Sequence, residues 1–205
     1  MPSQSGSRRY RKQARAENEQ DTHRRITEAA VELHRSKGPA NTTVSDVAKL
    51  ARVSRMTVYN HFANETELFT ACSTHWASNN PFPDPMRWAS IEDPARRLAA
   101  ALAELYQWYD EKQDMLGKVF RDMPIVPALQ TVMAGLWTDY VSAMIDVLSK
   151  DWPVADERRA DLRSALALAV DFHSWQVLTQ SVPPQRAATL AAHLIASGFP
   201  SSRAS

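Results

Sequence analysis

Residues 42–68 read TTVSDVAKLARVSRMTVYNHFANETEL, and the fold follows from how that run divides. Thr43 is a candidate N-cap, with Asp46 three residues on near the positive end of the helix dipole. Val44, Val47, Ala48 and Ala51 follow at helical spacing and give that helix one apolar face. Arg52-Val53 is a turn, and Ser54 caps a second short helix through Phe62. At 100° per residue, Val58 and Phe62 share its inner face, while Met56, Thr57, Asn60 and His61 point outward with Arg55 and Tyr59 on the flanks. Asn64-x-x-Glu67 is a third cap signal and opens another helix. Two short helices joined by a tight turn, with a third starting behind them, make a helix-turn-helix unit.

The outward face of the second helix carries the functional information. A surface helix made only for solubility would show Glu and Lys there. This one shows a hydroxyl, an amide, an imidazole, a guanidinium and a phenol. Such groups reach base edges and phosphate oxygens, and a helix of this size fits the major groove of B-DNA. Spacing alone leaves open a polar surface helix, or a turn inside an all-helical enzyme.

The run resembles the DNA-binding domain of the tetracycline-repressor (TetR) family of ligand-responsive transcription regulators. The matching features are Thr42-Thr43-Val44, Val47-Ala48, Val53-Ser54, Thr57-Val58-Tyr59, His61-Phe62 and Glu67-Leu68-Phe69. With the preceding helix the resemblance covers about 50 residues; the rest of the chain carries no motif that aligns. It implies a homodimeric regulator, a repressor, that binds a pseudo-palindromic operator in double-stranded DNA and is released by a small apolar or aromatic effector. In that reading Arg55, Met56, Thr57 and Asn60 meet base edges, while Thr43, Ser54, Tyr59 and His61 position the head on phosphates. Two residues depart from the family pattern. Arg52 stands where glycine is usual, which costs roughly 1 kcal/mol if that residue is left-handed. Glu65 stands where lysine is frequent, and it would repel the DNA backbone instead of clamping it.

The chain has 205 residues, enough for one or two domains, with 44% hydrophobic and 23% charged residues. Five glycines and many Ala, Leu, Arg and Glu argue for an all-α fold, of about nine helices by the helical stretches below, and the resemblance implies a three-helix head on a helical ligand-binding and dimerisation body. Net charge is only +1, but its distribution is uneven. Residues 1–75 hold 12 Lys/Arg against 8 Asp/Glu, a net of +4; the remainder holds 12 against 15, a net of −3. That suits a basic head on a neutral or acidic body. The single cysteine, Cys72, excludes an internal disulfide framework and reads as a small buried hydrophobe. No apolar run approaches the ~20 residues that span a bilayer, and no apolar stretch follows Arg8-Arg9 to make an export signal. A cytoplasmic protein with no membrane partner is expected.

Residues 1–20 are expected to be a flexible arm, whose Arg8, Arg9, Arg11, Lys12 and Arg15 either follow the DNA backbone or form a solvated tail. The helix-turn-helix domain spans 21–65 and the body 66–200. Helix 1 is predicted from Asp21 or Thr22 to about Lys37, stopped by Gly38-Pro39, with His23 and His34 at the surface. After a break at residues 79–85, helices are predicted over 94–112, 113–122, 128–150, 155–181 and 184–198. Ala187–Ala196 is apolar nearly all round, which points to a homodimer through the last two helices, although burial within one subunit would also satisfy it. Trp108, Phe120, Trp137, Tyr140, Met144, Phe172, His173 and Trp175 are candidate lining for an effector site, with the ordinary core as their other reading. No Glu-x-x-His pair, Gly-rich phosphate loop, nucleophile elbow or Cys/His metal spacing is present, so neither a cofactor nor a metal is expected. The remaining alternatives are an all-α enzyme and an interaction protein without DNA binding.

Overall fold

A computed structural model of the chain describes residues 4–200, with side chains from Tyr10 onward. The described residues form ten α-helices and three short 3-10 turns, with no strand among them. They fall into two compact units, Met1–Pro81 with Gly117–Val132, and Phe82–Leu116 with Met133–Ser205.

In the first unit, α1 (Gln4–Lys37) packs on α2 (Val44–Ala51) and α4 (Glu65–Asn79), with α3 (Arg55–His61) against α2. Helix α1 begins at Gln4 instead of near Asp21, so Arg11, Lys12 and Arg15 lie on one continuous helix; the side chains of Arg8 and Arg9 lie outside the described ones. The core holds Ile26, Ala29, Ala30, Val47, Ala48, Ala51, Val58, Phe62, Leu68 and Cys72. Small residues on α1 and α2 let the two backbones approach, while Val58 and Phe62 close the other side. Cys72 is buried and donates to the Leu68 carbonyl, and burial pushes its thiol up to about 12. Gly38, at φ +93°, ends α1 as predicted. His34 differs from expectation. It is buried, its ring stacked on Phe69 of α4 at 5.0 Å, with Asp122 at the end of α6 (Pro94–Asp122) near enough to act on its charge. His23 is exposed, as expected.

The second unit holds α5 (Pro85–Ala89), most of α6, most of α7 (Pro127–Leu148), α8 (Arg159–Val170), α9 (Phe172–Thr179) and α10 (Pro184–Gly198). The helices predicted over 94–112 and 113–122 are one, since nothing between them breaks a helix before Pro124. The helix predicted over 155–181 is two. Asp171 leaves the helical region at φ −72°, ψ 135° and its carboxylate caps α9 by accepting from Ser174 N–H at 2.9 Å. The carbonyls left over at the end of α8 are taken by two buried phenols: Tyr106 donates to Ala169 O at 2.8 Å and Tyr109 to Val170 O at 2.6 Å.

Candidate nucleic-acid interface

Each of the three predicted caps is formed. Thr43 Oγ1 accepts from Asp46 N–H at 3.2 Å while the Asp46 carboxylate accepts from Thr43 N–H at 3.1 Å, a closed capping box. Lys37 donates to the same carboxylate at 2.7 Å, and that bond, with those from Thr43, holds Asp46 down at about 2. Ser54 Oγ accepts from Thr57 N–H at 3.0 Å, and Asn64 Oδ1 accepts from Glu67 N–H at 2.9 Å. The turn between α2 and α3 rests on Arg52, which is left-handed at φ 56°, ψ 47°, with the Val53 amide donating back to Ala48 O at 2.9 Å.

These contacts fix which side chains α3 can present. Val58 and Phe62 face the core. Met56 is 67% exposed and Tyr59 48% exposed, and Arg55 and Asn60 are exposed beside them. Thr57 is half-buried, its hydroxyl 2.8 Å from that of Ser54, so the two hydroxyls are tied together at the start of the helix. His61 is half-buried, its ring edge-on to His23 of α1 at 6.1 Å. His23 in turn packs on Phe62 at 4.5 Å; burial first, then the neighbouring His61, lowers its pKa. Ala16, Glu19, Gln20 and His23 line a crevice with Asn60 and His61, a neighbourhood across α1 that short-range spacing does not reveal. Glu65 is exposed at the first position of α4. The eight residues predicted for the interface therefore lie together in one unit, seven on or capping α3 and Thr43 capping α2.

The candidate effector residues divide. In the second unit Trp108, Trp137 and Tyr140 gather round Phe82, at 5.2, 5.9 and 4.8 Å. Phe172 and Trp175 pack on Tyr109 at 5.2 and 5.7 Å, and Tyr109 links to Trp137 at 6.3 Å. Met144 is fully buried. Phe82 is a member that the sequence reading missed. The Trp175 indole N–H is buried with no hydrogen-bond partner. Phe120 lies in the first unit instead, and His173 faces outward with its ring 3.8 Å from Asp171. Among the described residues no cluster of three His, Cys, Asp or Glu is placed to hold a metal, and no helix is long and apolar enough to cross a membrane.

Residues 26–72 match the family model described as bacterial regulatory proteins, tetR family. The chain carries a tetR-family head. Over 55 residues it is 44% identical to the HTH-type transcriptional regulator TtgR of Pseudomonas putida, which is 27% of this chain and 26% of that protein. The same figures hold for the probable HTH-type transcriptional regulator ArpR of Pseudomonas putida, so the match spans about a quarter of the length of these curated relatives. Likeness to solved structures runs through the whole fold. NalD of Pseudomonas aeruginosa, the secondary repressor of the MexAB-OprM multidrug efflux pump, superposes with a TM-score of 0.63 at 20% identity, covering 91% of this chain and 100% of that one. A TetR-like transcriptional regulator from Rhodococcus gives 0.60 at 16% identity, over 86% and 94%. The tetR-family head thus sits in a chain whose all-α fold is similar to those of these solved structures.

Proposed function

We propose that the protein is a homodimeric transcription regulator, a repressor, whose two heads bind a pseudo-palindromic operator and leave it when a small apolar or aromatic molecule occupies the body. The observation that carries this reading is the exposed face of α3: Arg55, Met56, Tyr59 and Asn60 project outward from a short helix fixed by its cap and its two core residues. Arg55, Met56, Thr57 and Asn60 read base edges, and Thr43, Ser54, Tyr59 and His61 hold phosphates. Arg11, Lys12 and Arg15 extend the basic surface along the start of α1. The relatives' names support regulation, and the efflux-pump repressor supports repression as its sign. The chain acts in the cytoplasm, as a regulator and not as an enzyme.

Dimerisation is assigned to α8, α9 and α10. Ala187, Ala188, Ala191 and Ala192 are buried within the subunit, but Leu168, Val177 and Leu194 remain exposed along one apolar groove, and Leu190 is exposed one turn before Leu194. Covering them with a second copy removes apolar surface from water and gives the operator two linked heads. The effector site is assigned to the aromatic cluster, with Trp108, Trp137, Tyr140, Phe172 and Trp175 as walls and the unpartnered Trp175 N–H as a donor for a polar atom of the ligand. Ligand that favours one arrangement of the two heads releases DNA by its differential affinity for that arrangement.

Paired substitutions test the head. Thr57→Ala should narrow the gap between operator and random duplex, whereas His61→Ala should weaken both alike. Equal losses on both duplexes for Thr57→Ala would remove Thr57 from the base-reading set.

A further inference from the structure

A carboxylate buried from water needs partners, and Asp122 finds one in its neighbour Arg121 and the other in the head. It is the last residue of α6 and 2% exposed, fifty positions beyond the matched head residues. Its Oδ2 accepts from the Ala40 amide at 2.9 Å, and Arg121 bridges both oxygens at 2.6 and 3.1 Å. The Arg121 bond is the larger cause that holds this carboxyl below the usual range, with the Ala40 bond adding to it.

The receiving turn is shaped for this contact. Gly38 has φ +93°, a conformation that L side chains avoid, and a Cβ there would overlap the Arg121 guanidinium and come 2.5 Å from the Asp122 carboxylate. The backbone favours glycine here, and a Cβ would in addition push the Arg121 and Asp122 side chains out of their present places. From Gly38 the chain is fixed step by step. Asn41 donates to Lys37 O at 3.1 Å and Thr42 to Gly38 O at 2.9 Å through their side chains, and the Thr42 amide donates to Pro39 O at 3.0 Å. The next residue is Thr43, the cap of α2 and a predicted phosphate contact.

We infer that Asp122 is a positioning residue for DNA binding: by holding the Gly38–Ala40 turn it sets where the N-terminus of α2 meets the phosphate backbone. The working DNA-binding unit then includes residues 117–132 as well as the 26–72 segment. This rests on the reading of the head as a DNA binder, so one measurement is made without DNA.

The test uses full-length Asp122→Ala, Asp122→Asn and Gly38→Ala, each checked for helicity. Without DNA, hydrogen exchange at the Ala40 amide should quicken by about ten-fold or more in Asp122→Ala, because a bond to a charged acceptor is lost. On a selected operator, affinity should fall by about ten-fold, and the slope of log affinity against log salt should shrink by about one as a phosphate contact is lost. Asp122→Asn keeps an acceptor for Ala40 and should recover part of both. Gly38→Ala breaks the same contact from the other side, so the double variant should bind no more weakly than the weaker single. Mere destabilisation would lower affinity and leave the salt slope alone, and that result overturns the proposal. So does unchanged Ala40 exchange in Asp122→Ala. If the wild-type protein binds no duplex, the reading of the head fails, and the Ala40 exchange still decides whether Asp122 holds the turn.

Discussion

His34, Arg52 and Glu65 each put a single side chain where its chemistry can be measured. Burial is the larger influence on His34 and lowers its pKa to about 4, with Asp122 pulling weakly the other way. Between pH 6.5, the ordinary histidine value, and about 4 the unfolded chain takes up a proton that the folded head refuses. This stability is full above pH 6.5 and lost progressively down to about 4, roughly 3 kcal/mol in all. Urea unfolding of wild type and His34→Phe at pH 7, 5.5 and 4 should show wild type losing that amount relative to the variant; a gap independent of pH would contradict the buried neutral imidazole. Arg52 is left-handed at φ 56°, so Arg52→Gly should raise stability by about 1 kcal/mol by removing the Cβ penalty. Its midpoint in the same titration checks this. Glu65→Lys should tighten binding to any duplex and steepen the salt dependence by about one, whereas an unchanged slope would place Glu65 away from the phosphates.

Among the elements, local signals were legible and distant ones were not. Thr43, Ser54 and Asn64 each cap through a partner three residues on, so spacing alone predicted them. Ser54→Ala should cost about 1 kcal/mol, read as a lower thermal midpoint, because the Thr57 amide loses its acceptor. The break at Asp171 was missed because what makes it tolerable lies 63 and 61 residues away, in the hydroxyls of Tyr106 and Tyr109. His34 was misplaced for a different reason: it lies one turn beyond the buried Ala30 on the inner side of α1, so spacing put it inward, and only its polarity pointed to the surface. That the candidate interface residues gather in one place was legible because seven of the eight lie on or cap one short helix, with Thr43 capping the helix before it. The effector residues were less so, since aromatic type says nothing about which unit a ring joins, and Phe120 and His173 lie apart from the others.

At the scale of the whole molecule, the account depends on two heads acting together. Leu168 and Leu194 are 67% and 60% exposed, so Leu168→Asp with Leu194→Asp should leave a folded monomer in sedimentation and cost operator affinity by at least about a hundred-fold, the lower range of linked binding. A dimer that persists would move the interface elsewhere. The measurement that bears most directly on the central claim is selection from a pool of random DNA duplexes by the purified full-length protein at about 0.15 M salt, the physiological regime. The account predicts enrichment of an inverted repeat whose half-sites lie about one helical turn or more apart. Recovery of only weak, salt-sensitive binding without a shared sequence, from protein that is folded and dimeric, would contradict it.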